Sequence, residues 1–258
     1  MFKLRALDAS GGVRLGSAVL VAPGRLVTNA HVSRGAQRIE LAAPGRTWVV
    51  VAQSCNRRRD LCLLQVPGLA GAVAPLRPAS ELDVGEAVFA AGYPEGGRLV
   101  RSRGEVKALH AYDAGQVIQT SAAFDAGASG GGLFDGHGRL VGVISFKSRR
   151  GGNFHFALPA EWVAAALEVG ADSEPPSGAE SAFWEEDGER MPRFLRAAAL
   201  EAGGDWDRLL DFAANWMRAE THSPAPWHAA AMAYQGLGRA QIGLGGRTTV
   251  TICLVSMV

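Results

Sequence analysis

Asp125-Ala126-Gly127-Ala128-Ser129-Gly130-Gly131-Gly132-Leu133-Phe134-Asp135 sets one serine among glycines, with an apolar strand almost at once behind it. Glycine reaches backbone conformations closed to other residues and lets another backbone approach. Such a run suits a tight turn whose amide N–H groups converge beside an exposed hydroxyl. A nucleophilic serine needs that arrangement, because the oxyanion formed on attack at a carbonyl must meet donors already in place. The same run also reads as an ordinary Gly-rich hairpin turn.

Two upstream stretches bear on that choice. Gly16-Ser17-Ala18-Val19-Leu20-Val21-Ala22-Pro23-Gly24-Arg25-Leu26-Val27-Thr28-Asn29-Ala30-His31-Val32 is an apolar strand, a turn and a second strand ending at a histidine. Arg59-Asp60-Leu61-Cys62-Leu63-Leu64-Gln65-Val66 is an aspartate opening another strand. Over roughly residues 1 to 165 the chain resembles the trypsin/chymotrypsin-like serine peptidases, most closely the HtrA/Deg type. That type carries G-S-G-V, then T-N-x-H-V, then D-L-A-L-L-x-V, then G-N-S-G-G-x-L-x-D. The order His, Asp, Ser is the chymotrypsin order.

The resemblance implies a mainly β, chymotrypsin-like double β-barrel, followed here by a small α-helical module. It implies His31, Asp60 and Ser129 as catalytic triad, with His31 as base and Asp60 orienting it. The amides of Gly127 and Ser129 would form the oxyanion hole, and Ser145 would support Asp60. Ala123 would lie at the base of the substrate pocket, with Phe146, Lys147 and the 153–156 segment, including His155, on its walls. With no acid at that base, small or medium apolar P1 residues are expected, or acidic ones if His155 enters the pocket. His110, His137, His222 and His228 stand in no such context. The sequence departs from the pattern at Ala128, where HtrA/Deg proteins usually have asparagine, and at Gly132 in place of proline. Alanine removes a polar anchor from the loop, so the oxyanion hole is expected to need help to settle.

The whole sequence of 258 residues is 48% apolar and 20% charged, ordinary for one or two globular domains. A net charge of +1 points away from nucleic acid as partner. Three cysteines argue against a disulfide framework, and Cys62 reads as a small hydrophobe in a strand; its spacing from Cys55 establishes no bond. No apolar run is long enough for a membrane span, and Met1-Phe2-Lys3-Leu4-Arg5 lacks the apolar core of a signal peptide. A cytoplasmic protein is therefore expected, or a periplasmic or secreted one if translation starts elsewhere. No cofactor or metal is called for.

Short strands with turn signals between them run from residue 2 to residue 159. Barrel one is expected over about 1–70 and barrel two over about 84–160, with a proline-containing connection between them and the peptidase domain ending near 168. Residues 169–190 read as a linker rich in Pro, Ser, Gly and acidic residues, with Phe183-Trp184 an apolar island able to dock on the barrels. From 191 to 242 the period turns helical. Trp227 and Tyr234 keep the W-x₂-L-G-x₂-Y spacing of a tetratricopeptide repeat, and Gly204 and Gly238 stand one such period apart; an unrelated helical hairpin is the alternative. Residues 243–258 form an irregular, β-branched tail. The expected function is a serine endopeptidase acting on polypeptides, with the helices as a surface for a protein partner. The alternative is a catalytically silent protease-fold binding module.

Overall fold

The computed structural model describes residues 1–147, 155–169 and 181–238, with two short strands beyond. The described residues of 1–187 form one compact unit and those of 188–258 a second.

The first unit opens with a seven-stranded sheet. Its strands are β1 (Phe2–Leu7), β2 (Val13–Ala22), β3 (Arg25–Thr28), β4 (Arg38–Ala43), β5 (Arg46–Val49), β6 (Ala52–Asn56) and β7 (Leu61–Gln65). Helix α1 (Ala30–Ser33) is a single turn between β3 and β4. Phe2, Leu4 and Ala6 alternate into the core, the period of two that a half-buried strand requires. They pack with Leu20, Leu26, Leu41 and Leu64. The spatial order is β5-β4-β1-β2-β3-β7-β6. This sheet is open. Its two edge strands, β5 and β6, are consecutive in the chain and joined only by Val50-Val51. The sheet is therefore a half-barrel whose seam is the chain itself, at Val50-Val51.

A correction concerns the cysteines. Cys55 and Cys62 sit opposite each other across β6 and β7 and form a disulfide. Seven residues of separation are compatible with either bonded or free thiols; the antiparallel register decides it.

Six further strands close a true barrel in the order β10-β13-β12-β11-β8-β9. They are β8 (Ala87–Gly92), β9 (Val100–Tyr112), β10 (Gly115–Thr120), β11 (Gly132–Phe134), β12 (Leu140–Lys147) and β13 (His155–Pro159). Its core holds Val88, Ile118, Leu133, Val141 and Ile144. Strand β11, three residues long and Gly-led, has no periodicity to betray it. It pairs with β8 and β12 and so hangs the Ser129 turn from the barrel wall. Helix α2 (Ala160–Val169) follows β13, and its Trp162 donates to the Asp113 carbonyl. The fold is mainly β and chymotrypsin-like, a half-barrel beside a six-stranded barrel, followed by C-terminal helices.

Part of the expected linker is packed. Phe183 is fully buried against Tyr112, Trp162 and Phe146. Residues 170–180 lie outside the described residues.

The second unit contains α3 (Arg193–Ala202), α4 (Trp206–Ala219) and α5 (Ala225–Gly236). Leu209, Ala213 and Trp216 recur at helical spacing on the buried face of α4. In the tail, β14 (Gly243–Leu244) pairs with β15 (Thr248–Thr249); the rest of 243–258 lies outside the described residues. Among the described residues no helix is long and apolar enough to cross a membrane.

Candidate active site

Asp60 is the node of the site. It follows the tight turn Arg57–Asp60, closed by its own amide on the Arg57 carbonyl at 3.0 Å. Its φ is +57°, a left-handed conformation that aspartate tolerates better than most residues. Its carbonyl accepts from the Ala30 amide at 3.1 Å and from Asn29 Nδ2 at 3.1 Å. Thus Asn29 and Ala30, just before the histidine, lock the two upstream motifs together.

The Asp60 side chain is fully buried, and among the described residues four groups donate to its carboxyl. The His31 amide donates to Oδ1 at 2.8 Å, and His31 Nδ1 lies 2.8 Å from Oδ2. Ser145 Oγ donates to Oδ2 at 2.7 Å, and Trp184 Nε1 does so at 3.2 Å. A carboxylate is an acceptor only, so Nδ1 of His31 is the donor of that pair. The His31 side chain is 25% exposed, enough for a reacting group to reach the ring.

Ser129 sits in the turn between β10 and β11. Its Oγ donates to the Ser145 carbonyl at 3.1 Å. Residue 145 therefore meets Ser129 with its carbonyl and Asp60 with its hydroxyl. The structure brings Ser129, Asp60 and His31 to one place. It does not place the Ser129 hydroxyl on His31: among the described residues that bond is not formed.

The turn is shaped by glycine where nothing else fits. Gly130 has φ +83°, and a Cβ there would lie 2.2 Å from the Ser17 carbonyl oxygen and from Thr28 Oγ1. Gly127 has φ +86°, and its Cβ would lie 2.5 Å from the Glu95 amide nitrogen. Within the turn, the amides of Ala128, Gly130 and Gly131 donate to Asp125, Ile144 and Ala128 carbonyls. Among the described residues those of Gly127 and Ser129 find no acceptor.

Ser17 is a residue that sequence reasoning missed. Its amide donates to the Ser129 carbonyl at 2.8 Å and its Oγ to the Gly127 carbonyl at 3.1 Å. Its Oγ also accepts from the Tyr93 amide at 2.9 Å. The polar anchor absent at Ala128 is thus supplied from β2. Ala128 itself is buried, with its amide on the Asp125 carbonyl at 3.0 Å. The signal was present as the Gly16-Ser17 pair, which marked a strand without disclosing where its hydroxyl points. Trp184 was also missed as a partner of Asp60; only its apolar character was legible.

Of the residues assigned to the substrate pocket, Lys147 and His155 lie opposite each other across β12 and β13. Ala123 is exposed. Lys147 pairs with Asp125 at 2.7 Å, an ion pair that holds the Asp125 carboxyl below the usual carboxylate range. His155 is buried with its ring 4.8 Å from that of Phe124. Phe146 is sandwiched between Phe156 and Trp184, at 4.9 Å and 5.1 Å. Residues 153 and 154 of the expected wall lie outside the described residues. Among the described residues no group of His, Cys, Asp and Glu has the arrangement of a metal site.

Residues 16–143 match the trypsin-like peptidase domain family. It is 33% identical over 181 residues to a probable periplasmic DegP-like serine endoprotease of Pseudomonas savastanoi, a match covering 66% of this chain and 36% of that protein. It is 32% identical over 149 residues to a putative serine protease HhoA of Synechocystis, covering 54% of this chain and 38% of that one. The Rv3671c protease of M. tuberculosis in its active form superposes with a TM-score of 0.61 at 25% identity, covering 70% of this chain and 84% of that one. The trypsin-like domain thus has HtrA/DegP-type homologues, although the chain spans less than two-fifths of the length of these two curated relatives.

Proposed function

We propose that this chain is a serine endopeptidase. One observation carries the reading: the buried Asp60 carboxyl binds His31 and Ser145 together, while the Ser145 carbonyl holds the Ser129 hydroxyl. A serine hydroxyl is a weak nucleophile and needs a base within hydrogen-bond reach. Rotation about the Ser129 side-chain bond exchanges the Ser145 carbonyl for His31 Nε2. As Oγ attacks a peptide carbonyl, its proton passes to Nε2, and Asp60 stabilises the imidazolium. The carbonyl π pair moves onto oxygen, which the amides of Gly127 and Ser129 receive; losing one such donor costs about 2.7–4 kcal/mol of transition-state stabilisation. His31 then returns the proton to the leaving nitrogen, the C–N bond breaks, and water hydrolyses the acyl-enzyme by the same route.

For the substrate, an exposed Ala123 at the pocket base and no acid there favour a small or medium apolar residue before the scissile bond; a peptide-library scan checks this. The rival reading, a silent binding module, is favoured by the Ser129 hydroxyl resting on Ser145 and not on His31. A fluorophosphonate probe separates the two. The peptidase is labelled at Ser129, and Ser129→Ala lowers turnover of denatured casein by on the order of a millionfold. An unlabelled, correctly folded protein makes it the module.

A further inference from the structure

Trp184 is not part of the trypsin-like match, which ends at residue 143, yet it touches two residues of the site. Its Nε1–H donates to Asp60 Oδ2. Its ring meets the His31 imidazole edge to face at 5.6 Å and stacks on Phe146 at 5.1 Å with 15° between planes. The segment carrying it is pinned on both sides. Phe183 is buried among Tyr112, Trp162 and Phe146, with its amide on the Arg58 carbonyl at 3.0 Å. The Glu185 carboxylate takes the Ala182 amide at 3.0 Å and the Arg34 guanidinium at 2.9 Å. Arg34 follows α1, the turn that bears His31, so the clamp closes on the same element that Trp184 faces.

We propose that Trp184 is a positioning residue for the His31–Asp60 pair, held in place by Phe183 and Glu185. Oδ2 of Asp60 already takes His31 and Ser145, and an indole has one donor and a rigid plane. Its N–H fixes the carboxylate in the plane that His31 needs, and its ring borders the space into which the imidazole would otherwise swing. Proton transfer depends on that geometry, since displacements of about 1 Å cost on the order of a hundredfold in rate. A tryptophan serving only as an apolar plug would need Phe146 and His31 as neighbours but no acceptor.

The kinetic arm of the test rests on the peptidase reading; the spectroscopic arm does not. Trp184→Phe keeps the ring and removes the N–H. The expected result is a kcat lower by about tenfold with KM unchanged, as for a lost hydrogen bond to a charged group. The low-field proton resonance of His31 Nδ1 should move as Oδ2 loses a competing donor. Glu185→Gln, outside the core, should shift the same resonance in the same direction by loosening the clamp. A resonance and a kcat unmoved in Trp184→Phe overturn the proposal and leave Trp184 a plug. A resonance that moves in a protein that fluorophosphonate never labels upholds the positioning role and overturns the peptidase reading instead.

Discussion

The hydroxyl of Ser17 shows how much one atom can hold. It donates to the Gly127 carbonyl and accepts from the Tyr93 amide, so it ties the Ser129 turn to both β2 and the end of β8. Ser17 is fully buried, so removing the hydroxyl leaves two backbone groups without partners and away from water. Each such loss costs about 1–3 kcal/mol. Ser17→Ala is therefore expected to destabilise the protein by about 2–6 kcal/mol. It should also slow fluorophosphonate labelling of Ser129, since the Gly127–Ala128 peptide, whose carbonyl Ser17 holds, is no longer fixed in the turn. Urea unfolding measures the first effect and labelling rates the second. Asp60 makes the complementary point: its left-handed φ and four donors are consequences of where it lies, and one substitution there would disturb all of them.

At the scale of the element, the turn between β11 and β12 explains the last residue of the glycine-rich motif. Asp135 is buried, and burial pushes its carboxyl upward. The Arg139 amide, the Arg139 guanidinium and the His137 amide donate to it and outweigh burial, so it is held below the usual carboxylate range. Arg77 adds a second cation at 3.4 Å and also pairs with Glu86. A depressed folded-state value means that the unfolded chain binds the proton first as pH falls. The stabilisation is therefore complete above the ordinary carboxylate value of about 3.9 and lost below it. Asp135→Asn should cost about 1–3 kcal/mol at neutral pH, and the gap from the parent protein should close on acidification. Thermal melts across an acid series would show whether the two curves converge. The strand pair β6–β7 carries a second constraint, the Cys55–Cys62 bridge, two residues beyond Asp60.

For the whole molecule, part of the stretch with linker-like composition packs with the barrels. The described residues through Asp187 belong with the barrels, and the helices α3 to α5 form their own unit. A chain ending after Asp187 keeps the Phe183–Glu185 clamp and is expected to be labelled by fluorophosphonate at a rate within a few-fold of the full chain. One ending after Val169 lacks the clamp and should label more slowly, by about the tenfold assigned to the Trp184 donor. Equal rates for both truncations would show that the segment after α2 does not act on the site.

What the amino-acid sequence determined by itself was local and ordered. The period of two in β1, the glycines around Ser129, and His31, Asp60 and Ser129 each in its own motif were all legible, because strand burial and tight turns are set by neighbours in the chain. The roles of Ser17, Ser145 and Trp184 were less so. Ser145 entered only through resemblance, and the other two went unread as site residues. The Cys55–Cys62 bridge, the three-residue β11 and the seam at Val50-Val51 likewise waited for the fold. Each of these depends on which strand lies opposite which, or on where a hydroxyl or indole N–H ends after a separation of 76 to 124 residues. Register and long-range contact are properties of the packed barrels, and no stretch of sequence contains them.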